Sequence, residues 1–509
     1  MKVMIIGAGW SGIQAGALLK NTYGCEVVIF DQYPSVGGTW AKNVAYSTLR
    51  THAAAQTLEF VGFPFPKNIV DNPLKRVPAP DVVTYMNEYI DHVQLKEHLR
   101  LNKKVNTIHQ VSEQEVVCEF SDVVTGETFT EKGDFVMLSG FGFLPRKAPV
   151  FPGIATFGQP VFTSHDMQQK QLDALASVDK PVVVLGGSKT AYETIVSLRE
   201  RNIPVHWVAR KTYWMFNYDK GIMHSLTGRP SRSINRAKAF FAHVLYAFMP
   251  KISVRFMKAQ NLLLNAHPET TDQAYHIGVI DESVLETVKK VPFTKGEISS
   301  FEEGKIKIEK KTKHATTTET INCSAVITCL GTDAVPDFPE FRSGTEKVAI
   351  KDASHLFQFS IHHQLPSVYF IGPLPQRGLG MLNGYHSVQH ALIYLSKKMT
   401  GKQIKEATEK ELRIVQKFFK KKQIKPHLQR SISDLGNFSA YMMLIDGISR
   451  RISYTKPFKL GLLSLMFRSF YKFANNRPVY RNPTRNEVRK ALNQLPNEKN
   501  KYGIPILEK

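Results

Sequence analysis

Gly7-Ala8-Gly9-Trp10-Ser11-Gly12 sets three glycines at GxGxxG spacing directly after the apolar run Val3-Met4-Ile5-Ile6. In such a turn the first glycine permits a tight bend and the second lets a pyrophosphate approach the backbone. The third lets the next helix pack closely on the strand. The N-terminus of that helix offers N–H groups and a partial positive charge to phosphate. Gly16 adds a fourth small position. Asp31 closes the next apolar run, where an acid can bond a ribose hydroxyl. Together Gly7, Gly9, Gly12 and Asp31 predict a dinucleotide site.

A second turn reads Gly186-Gly187-Ser188-Lys189-Thr190-Ala191, after Val182-Val183-Val184-Leu185. On the pattern GxGxxA, Ser188 takes the middle glycine position. Gly186, Gly187, Ser188 and Thr190 are the candidate contacts. Arg210 and Lys211 follow the next apolar run, 205–208. Two cations at that place suit the 2′-phosphate of NADPH, whereas NADH calls for an acid.

The elements that must carry these turns follow from the pattern. Short, wholly apolar runs suit parallel strands covered on both faces. Each turn is followed by a helical stretch, to about residues 22 and 201, and then by a further strand. The expected fold class is α/β, with two Rossmann-like dinucleotide-binding domains. The chain has 509 residues, 42% hydrophobic and 22% charged, which excludes a disordered, collagen-like or coiled-coil protein. No apolar run reaches the roughly 20 residues that span a bilayer. Met1 leads straight into an apolar strand, so no secretory leader is expected.

Six residues after Asp31 stands Gly37-Gly38-Thr39-Trp40. With it the sequence resembles the flavin-containing monooxygenases and their Baeyer–Villiger and plant auxin-forming relatives. The resemblance extends through residues 46–66, YSTLRTHAAAQTLEFVGFPFP, and through Leu138-Ser139-Gly140 with Pro152-Gly153 downstream. It continues at Thr328-Cys329-Leu330-Gly331-Thr332-Asp333 and at Ile371-Gly372 with Gln389 beyond, covering about residues 1–400. It implies that the first turn binds FAD, with Gly38, Thr39, Trp40, Thr51, Gly140, Gly331 and Gly372 among the cofactor contacts, and that the second binds NADPH.

The implied organisation is an FAD-binding domain at 1–157 and 331–401. An NADPH-binding domain at 158–330 interrupts it. The implied chemistry is hydride transfer from NADPH to the flavin. Oxygen then adds at C4a, and one oxygen atom passes to a small, apolar substrate. His52 follows Thr51 where animal-type relatives carry Asn, so it is the candidate catalytic hydrogen-bond donor. The family pattern FxGxxxH is displaced here: Phe157 is followed at once by Gly158, and His165 falls late.

The net charge of +23 is unevenly placed. Residues 402–509 hold 24 Lys and Arg against 8 Asp and Glu, and residues 220–268 hold eight basic residues and no acid. The basic insertion 220–268 and a basic, mainly helical extension 402–509 therefore carry the excess. Apolar side chains recur inside both, at 240–249 and 457–473, which suits either a helix on an anionic membrane surface or a helix packed on the core. No nucleic-acid module accompanies the charge, so no nucleic-acid partner is expected. The four cysteines form no CxxC pair, which points to reduced structural thiols in the cytoplasm and disfavours a dithiol reductase. An NADPH oxidase that oxygenates nothing, and a membrane-docked nucleotide-binding protein without catalysis, remain as alternatives. The oligomeric state is left open.

Overall fold

A computed structural model describes residues 1–371 apart from 22–23, 42–44, 47, 56–57, 61–62, 73–74, 113–114, 140–143, 146–150, 224–249, 271–274, 312–314, 331, 334–338, 349–359, 362–364 and 366. Gly140, Gly331, Gly372, the apolar stretch 240–249 and the whole extension 402–509 thus lie outside the described residues.

The first sheet runs in the order Ser360–Ile361, Val368–Ile371, Phe135–Ser139, Lys2–Ile6, Glu26–Phe30, Leu99–Arg100. Its strands are parallel except for the outermost hairpin, Ser360–Ile361 with Val368–Ile371. Period-two alternation divides the central strand between two cores. Val3 and Ile5 join the core beneath the helices Trp10–Asn21 and Ala79–His92. Met4 and Ile6 face the opposite way, toward Ile108, Val116, Cys118 and Phe120 of a mixed, mainly antiparallel sheet. A strand covered on both sides needs an unbroken apolar run, which is why 3–6 contains no polar residue. Each such side chain contributes about 1.5–3 kcal/mol on burial.

The second sheet, Val161–Thr163, Ala325–Thr328, Val182–Leu185, Val205–Ala209, Phe293–Lys295, is parallel throughout. The same division recurs, with Val182 and Val184 in one core and Val183 and Leu185 in the other.

The repetition goes further than the two glycine turns. In each unit strand, turn, helix and strand lead to a three-stranded antiparallel meander. The meanders are Lys103–Ser112, Glu115–Asp122, Thr128–Gly133 and Glu297–Glu302, Lys305–Lys311, Thr316–Asn322. The next strand then returns beside the opening one: Phe135–Ser139 beside Lys2–Ile6, and Ala325–Thr328 beside Val182–Leu185. The chain leaves the first unit through Leu144–Pro145 and comes back through Thr332–Asp333, and these two crossings pair antiparallel. Val368–Ile371 then completes the first sheet.

No described helix is long and apolar enough to cross a membrane. The helix Pro250–Ala259, inside the basic insertion, buries Val254 and Met257 and leaves Ile252 half exposed beside its cations. Lys258 holds its ammonium 4.1 Å from the centre of the Trp214 ring.

Candidate cofactor and active site

The first glycine turn is built against the end of Phe135–Ser139. Gly7 has φ +109°, and a β-carbon there would lie 2.0 Å from the Ser139 carbonyl oxygen. At Gly12 a β-carbon would lie 1.9 Å from the Gly7 carbonyl oxygen. Strand and helix thus touch at backbone distance, and both glycines are demanded by the fold. Gly9 differs. Among the described residues its β-carbon would meet the Gly38 α-carbon at 3.6 Å and the Gly38 nitrogen at 3.9 Å, both ordinary contacts. The packing of the described residues gives no reason for glycine at this position.

Asp31 is buried and holds the turn from the next strand. One carboxylate oxygen accepts from the Ala8 N–H at 2.7 Å and the other from the Tyr33 N–H at 2.9 Å. Burial pushes this carboxyl above its ordinary value, opposed by those two N–H bonds. A carboxylate has about four acceptor positions, so lone pairs remain for a ribose hydroxyl.

The short 3-10 turn Gly38–Trp40 stands against the first glycine turn. The Gly37 N–H donates to the Ala8 carbonyl at 3.0 Å. Gly37 and Gly38 both take positive φ, +130° and +55°. Trp40 is half-buried against the first core. An aromatic cluster holds the following segment: Phe60 stacks on Trp10, Tyr85 and Tyr89, and Phe65 on Tyr85. The Tyr85 hydroxyl accepts from the Phe60 N–H at 2.7 Å and donates to the Phe63 carbonyl at 2.5 Å.

Thr51 and His52 lie on the strand Arg50–Ala54, which pairs with Arg76–Pro78. Thr51 is buried, and its hydroxyl accepts from the Val77 N–H at 2.8 Å. His52, the next residue, is half-buried.

At the second turn Gly186 has φ +142°, and its β-carbon would lie 2.4 Å from the Cys329 carbonyl oxygen. At Gly187 a β-carbon would lie 1.9 Å from the Lys211 carbonyl oxygen. The segment carrying Arg210 and Lys211 is therefore locked to the turn. Ser188 precedes the helix Lys189–Glu200 in an extended conformation, and its side chain does not cap that helix. Arg210 projects into solvent, 74% exposed, and pairs with Glu297 at 3.0 Å. Lys211 lies 5.3 Å from the Tyr213 ring centre.

Sequence reasoning missed the charges between the two units. Glu193 accepts from Arg76 at 2.8 Å, from Lys189 at 2.7 Å and from the Tyr46 hydroxyl at 2.6 Å. Arg76 also donates to the Thr51 carbonyl at 2.7 Å and to Asp281 at 2.6 Å. Burial, then the Glu193 charge, drives the Tyr46 hydroxyl well above its ordinary range, so it stays a donor. One signal was available: Lys189 and Glu193 stand at i,i+4 on a mostly buried helix.

The described residues fit two dinucleotides. Each turn sits at the carboxyl end of a central parallel strand and before a helix N-terminus, the place where open α/β sheets bind such ligands. At Gly9 a methyl would meet the described residues at no closer than ordinary contact distance. Among the described residues no group of His, Cys, Asp and Glu could hold a metal ion. The four cysteines are free, buried and separate.

Comparison with known proteins agrees with this geometry. The family model described as pyridine nucleotide-disulphide oxidoreductase matches residues 1–229. An FAD-dependent monooxygenase of Pyrenophora dematioidea is 28% identical over 216 residues, 41% of this chain and 39% of that protein. A Baeyer–Villiger monooxygenase of Pseudooceanicola batsensis is 30% identical over 159 residues, 30% and 27% of the two chains. Human flavin-containing monooxygenase 1 is 27% identical over 199 residues, 36% and 35% of the two chains. The matched stretch thus spans at most about two-fifths of these relatives. Among solved structures, an oxidized steroid monooxygenase bound to NADP superimposes with a TM-score of 0.58 at 16% identity, over 80% of this chain and 89% of that one. Cyclohexanone monooxygenase in an open form gives 0.56 at 17% identity, over 80% and 91%. These structures share the fold. With a docked Gly-Gly-Thr-Trp turn, two glycine turns and no dithiol, the chain is similar, over up to about two-fifths of its length, to flavin-dependent monooxygenases.

Proposed function

We propose that this chain is an NADPH-dependent FAD monooxygenase that passes one oxygen atom of O2 to a small, apolar organic substrate. The observation that carries the reading is the docking of Gly38–Trp40 on the first glycine turn, with a second nucleotide-type turn on the adjoining unit. The relatives' names support it, since they are FAD-dependent and Baeyer–Villiger monooxygenases.

Gly7, Gly9, Gly12 and Asp31 would hold the adenosine and pyrophosphate half of FAD. Gly38, Thr39, Trp40 and Thr51 would line the flavin side, with Gly140, Gly331 and Gly372 from segments outside the described residues. Gly186, Gly187, Ser188 and Thr190 would take the NADPH pyrophosphate, and Arg210 and Lys211 its 2′-phosphate. FAD, when bound, supplies the redox and oxygen-activating chemistry. The protein's part is to orient both nucleotides, to keep water out with the aromatic cluster around Phe60, and to present the His52 imidazole as a hydrogen-bond donor.

For the basic segments we propose an anionic membrane surface as partner. Exposed Ile252 between Lys251 and Arg255 supports this, and co-sedimentation with anionic but not neutral liposomes at low salt tests it.

The test of the main reading is direct. The purified protein should be yellow and should bleach with NADPH under anaerobic conditions. With oxygen and a panel of apolar ketones, thioethers and amines, NADPH consumption should match oxygenated product for at least one class. Stoichiometric hydrogen peroxide with every compound would make it an oxidase instead.

A further inference from the structure

We propose that Glu193 and Arg76 are positioning residues: they form an electrostatic latch that fixes the second nucleotide turn against the strand carrying Thr51 and His52. This rests on the reading of two dinucleotide sites given above.

The latch joins three side chains of the second unit to the first. Lys189, Glu193 and Asp281 belong to the second; Tyr46, Arg76 and the backbone of Arg50–Ala54 belong to the first. Arg76, Glu193 and Lys189 are only 4%, 5% and 7% exposed. Two cations meet two carboxylates, so the buried site is charge-balanced. Every guanidinium nitrogen of Arg76 is used: Nε on the Thr51 carbonyl, Nη1 on Asp281 and Nη2 on Glu193.

A buried ion cluster is a weak source of adhesion, because desolvation offsets most of the Coulomb gain. Apolar side chains would hold the two units together as well. What the cluster supplies is direction. Planar, bidentate-capable Arg76 accepts one arrangement of its three acceptors, and Glu193 is shared between donors from both units.

Both ends of the latch reach the proposed cofactor sites. Lys189 directly follows Ser188 in the second glycine turn, and its ammonium donates to the Arg50 carbonyl at 3.3 Å instead of projecting from the turn. Arg76 grips the carbonyl of Thr51, adjacent to His52. A displacement of the turn relative to the strand would therefore strain several short bonds in a dry site. Transfer between two bound cofactors is sensitive to such displacement, at about 100-fold per ångström.

The test uses the full-length holoenzyme and Glu193→Gln, with Arg76→Lys as the second variant, which keeps the charge and loses the fork. Three quantities are read: NADP+ affinity by calorimetry, the limiting anaerobic rate of flavin bleaching by NADPH, and bleaching by dithionite. The latch predicts a limiting NADPH rate lowered about 10–100-fold. It also predicts NADP+ affinity within about threefold of wild type and an unchanged dithionite reaction. Amide exchange in segments 50–54 and 76–78 should rise in both variants.

A double variant, Glu193→Gln with Lys189→Met, removes the stranded cation. It should recover thermal stability without recovering the NADPH rate. Recovery of both together would show a purely structural role and overturn the proposal. So would an unchanged NADPH rate in a folded variant. If Glu193→Gln does not fold, the double variant and Arg76→Lys carry the same criteria. Wild-type protein that NADPH fails to bleach would refute the two-site reading itself. Wild type and variants that bleach alike would refute only the latch.

Discussion

Gly9 and Gly38 face each other backbone to backbone: a β-carbon on Gly38 would lie 3.1 Å from the Gly9 α-carbon, while one on Gly9 would stand 3.6 Å from the Gly38 α-carbon. The first is tight and the second is ordinary. Gly9→Ala should therefore leave the apoprotein's melting temperature within a degree or two, as for a mild surface change. It should still remove most of the bound flavin, because the methyl occupies the pyrophosphate's approach. Gly12→Ala is the contrast. Its β-carbon would lie 1.9 Å from a carbonyl oxygen, so overpacking of about 3 kcal/mol or more is expected, with loss of fold and flavin together. Flavin absorbance and thermal melts of both variants separate the two cases. A Gly9→Ala protein with full flavin content would remove the first turn from the FAD site.

Arg210 should favour NADPH through a charge-assisted bond to the 2′-phosphate. The side chain is largely exposed and already paired with Glu297, so solvent screening holds the gain to about 1 kcal/mol, or roughly fivefold in KM. Arg210→Ala should raise the NADPH KM by that factor and leave the NADH value unchanged. Glu297→Gln, which frees the guanidinium, should act in the opposite direction. Parallel changes for the two coenzymes would place the 2′-phosphate elsewhere.

His52→Ala should leave NADPH-driven bleaching within about twofold of wild type while moving turnover toward hydrogen peroxide. The measurement is the ratio of oxygenated product to NADPH consumed. An unchanged ratio would make His52 a structural side chain of the strand Arg50–Ala54.

Burial raises all four thiols: Cys25 to about 11, Cys323 and Cys329 to about 12, and Cys118 further still. At pH 8 almost none is thiolate, and the thiolate is the nucleophile. A charged disulfide reagent should react with none of them in the native protein on the timescale on which it titrates all four in denaturant. A rapid native reaction of even one would reopen a dithiol or redox role.

The two sheets were legible because a strand buried on both faces leaves no choice of residue type. Val3–Ile6 and Val182–Leu185 are continuous apolar runs, and the fold confines Gly7, Gly12, Gly186 and Gly187 to backbone-on-backbone contacts. The latch was not legible. Arg76 meets Asp281 across 205 residues and Glu193 across 117, and no local pattern encodes such a meeting. Buried Arg and Glu resemble surface residues in a sequence until the partner is placed. The pairing of the meanders was not legible either, since alternation marks a strand without naming its neighbour.

The late arrival of Val368–Ile371 has a consequence for synthesis on the ribosome. Its neighbour Phe135–Ser139 is made roughly 230 residues earlier, and every residue of that earlier strand is buried in the finished protein. At about 5–20 residues per second, this edge waits roughly 10–50 s for its partner. Meanwhile the second unit, flanked by the paired crossings, can complete its own five strands. An apolar parallel edge left open for that long is a template for wrong pairing. The nascent chain should therefore depend on chaperones most between the emergence of Ser139 and that of Ile371, and slowing translation across this interval should lower the yield of folded protein.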